Sequence, residues 1–310
     1  MIDPNTIFDT QFFLLALMAV GYLAVKTGLM DERGRTTVTN LVLCVFLPCS
    51  IFSSFIGSST SQLYSWTVML VISIGLMVFS YVLGRFVFFR FAGEDQKKVL
   101  LFVTLVPNAA FVGNPVIEHI FGFEALTFAA AYHVPMWLCI WIMGAVIFSK
   151  EKINFVKTVL HPCLLGSYLG LILMISGLSP PPLASRLLSS LASCTTPVSM
   201  IVVGAVLALL DHRQLFSSLG FYFSAIRLLI MPLLILGILL LIRPFLGGVD
   251  PLVISISVIF SGTPAGITAT ILADKYNGDR FLASKVVFLS TLASCLTIPA
   301  LVFLIQFILA

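Results

Sequence analysis

The chain has 310 residues, of which 59% are hydrophobic and only 10% charged, with a formal net charge of +4. A soluble domain carries about a quarter charged residues, so this composition excludes an ordinary soluble globular protein. The basic residues sit in short loops between apolar runs, which orients a chain in a bilayer and excludes a nucleic-acid surface.

Met1 to Asp9 carry no basic region ahead of the first apolar run, and no small-residue cleavage pattern follows, so no removable signal peptide is expected. A membrane span needs about 20 mostly apolar residues. Ten segments qualify in chain order, at 9–27, 37–56, 65–89, 99–121, 125–148, 158–177, 184–210, 218–242, 252–273 and 283–309. If all ten cross, one set of loops holds fourteen of the 17 Lys and Arg residues: Lys26, Arg33, Arg35, Arg85, Arg90, Lys97, Lys98, Lys150, Lys152, Lys157, Arg213, Lys275, Arg280 and Lys285. The opposite set holds Arg186 and Arg243 alone, and Arg227 lies inside span eight. Positive-inside bias then places the first set in the cytoplasm and both termini outside, in a multi-pass protein of the cell membrane. The six cysteines, Cys44, Cys49, Cys139, Cys163, Cys194 and Cys295, all fall in apolar runs and read as buried small hydrophobes.

The fold class expected is therefore an all-α polytopic membrane protein. The segment 150–157 is a short charged connection between residues 1–149 and residues 158–310, five spans on each side. Halves with an odd number of spans can repeat only in inverted orientation. Pro48 and Pro197 are separated by the same interval as Pro115 and Pro264, and both pairs occupy corresponding spans, two and seven, four and nine.

Spans four and nine stand out. Span four reads LLFVTLVPNAAFVGNPVIEHIFG, with Asn108, Gly113 and Asn114 between Pro107 and Pro115. Span nine groups Ser261, Gly262, Thr263, Pro264 and Gly266 near its centre. Proline removes a backbone donor and pushes the residue before it out of helical geometry, so both spans are expected to break. Irregular backbone at that depth has to be covered by protein or line a wet cavity. Broken helices also expose amino ends that attract anions.

These residues carry a resemblance. PNAAFVGNP is similar to the P-N-x-x-x-x-G-x-P crossover motif of the auxin efflux carrier family, which includes the plant PIN-FORMED carriers and many bacterial permeases. GLMDERGRTTVTNLVLCVFLPCSIF resembles the family's opening pattern, and SGTPAGITATILADKY its ninth span. The resemblance implies a ten-helix inverted-repeat transporter whose spans four and nine cross at Pro115 and Pro264. It implies a scaffold of spans one, two, six and seven, a transport body of spans three to five and eight to ten, and an elevator-type mechanism. By analogy with bacterial members, the cargo is a small organic anion, a carboxylate or dicarboxylate. The long hydrophilic loop of the plant carriers is missing, and span three holds no acidic residue to carry a proton.

The candidate substrate-binding residues are Asn108, Gly113, Asn114, Pro115, His133, Thr263, Pro264 and Arg227. Asn108 has an amide that can donate to a carboxylate at the break, or cap the second half-helix. His133 precedes Trp137 by four residues, as a polar residue precedes a tryptophan in span five of the plant carriers; it either lines the pocket or bonds a neighbouring helix. It is also the mid-membrane group suited to proton coupling. Arg227 either snorkels to the cytoplasm, finds a structural partner, or neutralises the anion. Glu118, His119 and Asp274 read as solvated interface residues, and Asn40, Thr195 and Thr196 as residues that could face the site from the scaffold.

No cofactor and no metal site is expected; a coupling ion, sodium or proton, and a homodimer stay open. No phosphate-binding glycine loop and no Ser/His, paired-aspartate or His-Glu-x-x-His arrangement occurs mid-span, so neither an ATP-driven pump nor an intramembrane enzyme is expected. A channel-like facilitator or a solute sensor built on the same broken helices is the alternative reading.

Overall fold

The computed structural model describes residues 4–88, 93–148, 156, 159–209, 217–245, 247, 249–266, 268–275 and 279–309. Most of the connection expected over 150–157 lies outside these, as do Arg90, Lys150, Lys152, Lys157, Arg213 and the side chain of Asp274. The described chain is helical, and its one extended pairing is an isolated antiparallel bridge, Pro107 with Ala265.

In order, the helices are α1 (Pro4–Lys26), α2 (Glu32–Ser54), α3 (Leu63–Phe88), α4a (Glu94–Leu105), α4b (109–121), α5 (Leu126–Phe148), α6 (Pro162–Ser176), α7 (Pro182–Leu209), α8 (218–242), α9a (Pro251–Ser261), α9b (Thr268–Lys275) and α10 (Arg280–Leu309). Seven of the ten expected spans, those of α1, α2, α3, α5, α7, α8 and α10, are helices long and apolar enough to cross a membrane. The other three are shorter: α6 as a single helix, and spans four and nine as two half-helices each. Phe12, Phe86, Leu183 and Phe307 are exposed on the outer faces, where hydrocarbon is their solvent.

Proline leaves a repeated mark. Wide, π-type turns at Val42–Phe46, Ala109–Gly113 and Ile226–Ile230 each end two residues before a proline, Pro48, Pro115 and Pro232. The proline ring crowds the carbonyl one turn back, and a wider turn relieves the clash. Pro135 and Pro299 sit inside α5 and α10 without such a turn, so the widening is not automatic.

Helices α1, α2, α6 and α7 pack on one another, as do α3 with α4a and α5, and α8 with α9a and α10. The α1–α7 seam is the closest. A Cβ on Gly21 would overlap the Ile201 carbonyl oxygen, and one on Gly204 the Met18 carbonyl oxygen. Two glycines thus bring two backbones into contact, as small residues do where apolar burial supplies no drive between helices. A similar approach seats α6 on α2, where a Cβ on Gly166 would lie 2.7 Å from the Pro48 carbonyl oxygen.

One expectation is corrected here. Of the six cysteines only Cys163 is buried in the protein; Cys44 is exposed, and the others are half-buried. An apolar run places a residue in the membrane, not necessarily on the inner face of its helix.

Candidate functional site

The two breaks meet. Val106 precedes Pro107 and is extended (φ −107°, ψ 96°), which ends α4a. Thr263 precedes Pro264, and α9a ends at Ser261. The Asn108 amide donates to the Pro264 carbonyl (2.8 Å) and the Gly266 amide to the Val106 carbonyl (3.1 Å). The pairing needs a small residue: a Cβ on Gly266 would lie 3.0 Å from the Val106 oxygen. Spans four and nine therefore meet through Pro107 and Ala265 rather than at Pro115. Pro115 falls in the first turn of the α-helical part of α4b, where its missing amide is tolerated, so it follows the break instead of making it.

Buried backbone groups freed by a break need partners, and most are found. Ala265 donates its amide to Ser290 Oγ of α10 (3.1 Å). One carbonyl near the carboxyl end of each of α4a and α9a goes to Arg227. Its Nη1 donates to Thr104 O (2.7 Å) and its Nε to Thr263 O (3.0 Å), while Nη2 has no partner. Arg227 is 1% exposed and, among the described residues, forms no ion pair. It does not snorkel. One guanidinium spans the negative ends of α4a and α9a, a favourable place for a cation.

The amino ends are treated differently. A small cavity of about 20 Å³ adjoins the starts of α4b and α9b, bounded by Pro107, Asn108, Gly266, Thr268, Met136 and Trp137. Asn108 Nδ2, Trp137 Nε1 and Thr268 Oγ1, all buried, have no hydrogen-bond partner. Three residues with unpaired donor atoms border one cavity, and among the described residues its lining contains no acidic side chain. The remaining wall, including Val106, Phe111 and Ile140, is apolar. At this size the cavity holds about one water; a larger guest requires Trp137 or Met136 to move. Trp137 also stacks on His161, the cap of α6, with ring centres 4.6 Å apart. A larger cavity of about 470 Å³ between α3 and α8 is apolar except for Tyr64 and Thr67, and the Thr67 hydroxyl is already spent on the Leu63 carbonyl.

Of the expected site residues, Asn108 borders the small cavity, while Pro264 belongs to the bridge and Thr263 to the Arg227 contact. Gly113 serves packing: a Cβ there would meet the Phe260 ring at 2.6 Å. His133 and Asn114 hold each other, His133 Nε2 donating to Asn114 Oδ1 at 2.8 Å, and neither borders the cavity. His133 Nδ1 is left without a partner beside the Phe260 ring. Glu118 is half-buried and accepts from Thr196 Oγ1 (2.5 Å), which ties α4b to α7 instead of leaving the carboxylate solvated. Asn40 is exposed; Thr195 is buried with its hydroxyl unpaired.

The sequence reading missed Thr268 and used Trp137 only as a landmark. Thr268 had a signal, since it is the first polar residue after the second break and opens α9b. Trp137 had a weaker one: a large apolar side chain with a single donor that needs a partner when buried.

A family model described as membrane transport protein matches residues 6–155 and again 151–302. An uncharacterized transporter of Methanothermobacter thermautotrophicus is 29% identical over 94% of this chain and 96% of its own length. An uncharacterized transporter of Methanocaldococcus jannaschii is 25% identical over 94% of this chain and 96% of its own. A putative malonate transporter of Rhizobium meliloti is 22% identical over 94% of this chain and 93% of its own.

Proposed function

We propose, from the premise that this chain belongs to the membrane transport protein family and is a transporter rather than an enzyme, that it is a secondary carrier of a small organic anion. The cargo binds at the amino ends of α4b and α9b. One observation carries the reading: unpaired donor atoms of Asn108, Trp137 and Thr268 border one cavity at two helix amino ends, with no acidic side chain in its lining among the described residues. Buried donors without partners cost stability unless a guest satisfies them, and helix amino ends favour a negative one. A carboxylate fits that chemistry, and the malonate named for the Rhizobium meliloti relative is one.

In this proposal the two matched halves are inverted repeats, ten spans cross the membrane, and both termini lie outside. Helices α1, α2, α6 and α7 form a static body past which the remaining helices carry the site in an elevator-type movement. Supporting contacts are the glycine-backed seam within the first group and the few polar ties between groups, Glu118 with Thr196 and Thr127 with Ser54.

The test is uptake of labelled acetate, malonate and succinate into liposomes containing the purified chain. Saturable uptake, weakened in Asn108→Ala by the loss of a hydrogen bond to a charged group, about 1.5–3 kcal/mol, is expected. A cysteine crosslink between positions 54 and 127 stops uptake, whereas one joining α4b to α9a does not. Uptake surviving both crosslinks, with unitary currents, replaces the carrier with a channel.

A further inference from the structure

Arg227 does more than the candidate site requires of it. It is among the largest fully buried side chains, it comes from a helix outside both breaks, and it forms no ion pair among the described residues. Its wide turn, Ile226–Ile230 ahead of Pro232, lies where α8 faces the crossing, and two of its nitrogens reach the Thr104 carbonyl in the last turn of α4a and the Thr263 carbonyl just past α9a. Each helix end carries about half an elementary charge. The two carboxyl ends together thus amount to about −1, which one guanidinium balances, and the two amino ends to about +1, which no acidic side chain lining the cavity balances among the described residues.

Unwound carbonyls and half-helix carboxyl ends are where carriers hold coupling cations. Here both carbonyls already have a donor that the chain supplies. Resting on the anion reading above, we infer that Arg227 is a resident cation of the crossing, filling the place of a coupling cation so that anion binding is independent of sodium. The pair of half-helices is electrically complete once one carboxylate group is bound, and a sodium ion would have to displace a guanidinium hydrogen-bonded at 2.7 and 3.0 Å.

Removing the side chain should create the cation requirement. The unfolding temperature of the purified full chain is measured in sodium chloride, in choline chloride, and in choline chloride with millimolar guanidinium, for the native protein and for Arg227→Ala. The native protein is expected to unfold at the same temperature in all three. Arg227→Ala is expected to unfold several degrees lower in choline and to regain most of the loss with guanidinium or sodium. Carboxylate uptake follows: native uptake equal in sodium and choline, and uptake by Arg227→Ala lower by about 100-fold in choline, the scale for removing a buried hydrogen-bonded charge. Native uptake that requires sodium, or a variant deaf to guanidinium and sodium alike, overturns the inference. If Arg227→Ala yields no folded protein, Arg227→Lys, which keeps the charge with fewer donors, takes its place in the same three salts. If no carboxylate is taken up by the native protein, the anion reading fails, while the guanidinium response of the variant still decides the role of Arg227.

Discussion

The α1–α7 seam and the crossing of the two breaks both bring backbones into contact, by opposite means. At the seam, Gly21 and Gly204 let α1 and the Thr195–Leu209 part of α7 touch, both uninterrupted helices whose amides and carbonyls remain inside them. At the crossing, Pro107 and Pro264 interrupt the helices, and the freed groups bond across the gap, Asn108 to Pro264 and Gly266 to Val106. The seam needs nothing from outside. The crossing cannot satisfy itself: it draws in Arg227 and Ser290 and still leaves donors unpaired. Membrane helices have no water to repair such gaps, so rigidity comes from close glycine packing and a binding site from broken backbone.

The largest effect that separates the two regions is expected at the seam. Gly204→Leu drives a side chain into the Met18 backbone, which cannot yield as a flexible side chain does. Its cost should exceed the about 1–3 kcal/mol of ordinary overpacking, and the monodisperse peak in size-exclusion chromatography should vanish. Gly75→Leu, built where a Cβ meets nothing within 4 Å, should leave that peak intact. A well-folded Gly204→Leu protein would show that the seam is not rigid.

The next effect lies between the regions. His133→Leu strands the Asn114 amide oxygen, and an unpaired buried polar group costs about 1–3 kcal/mol. The unfolding temperature should fall and recover in part when Asn114→Leu is added, while carboxylate affinity in the surviving protein holds. Loss of affinity without loss of stability would move His133 back into the site. Thr268→Val should do the reverse, weakening binding by about tenfold, the equivalent of about 1.4 kcal/mol, at unchanged stability, because the hydroxyl has no partner to lose.

How far these regions could be read in advance follows from the physics of each. The breaks were legible because proline and the residue before it are restricted by covalent geometry alone, and the membrane-spanning class because composition decides it. The meeting point was not. The crossing that the resemblance implies, at Pro115 and Pro264, names the wrong proline in span four, since a proline in the first turn of a helix breaks nothing. Arg227 was flagged by its depth, but its partners are carbonyls at positions 104 and 263, and no local pattern announces a contact that far along the chain. The same limit hid Glu118, which finds Thr196 across the fold. The seam went unread because glycine is ordinary in membrane helices, and only the facing backbone shows which glycines matter.

The smallest expected effect tests how the two regions treat a carbonyl that proline has freed. In α2 the wide turn sends the Leu47 amide to Val42 O, and Pro48 has no amide, so Leu43 O lacks a partner within its helix. It receives Cys163 Sγ of α6 at 3.3 Å, a weak donor, where the crossing uses a guanidinium for the same purpose. Cys163→Ala should therefore cost only about 1 kcal/mol, seen as a small drop in unfolding temperature with uptake unchanged. Cys163→Ser, with a stronger donor, should cost less. Pro48→Ala restores an amide to α2 and removes the need, so in that background Cys163→Ala should cost nearly nothing beyond lost packing. A double-mutant cycle reads the difference as a coupling energy. If Cys163→Ala costs as much in the Pro48→Ala background as it does with the proline in place, the thiol contributes by filling space alone, and only the crossing, of the two regions, has its freed carbonyls held by side chains.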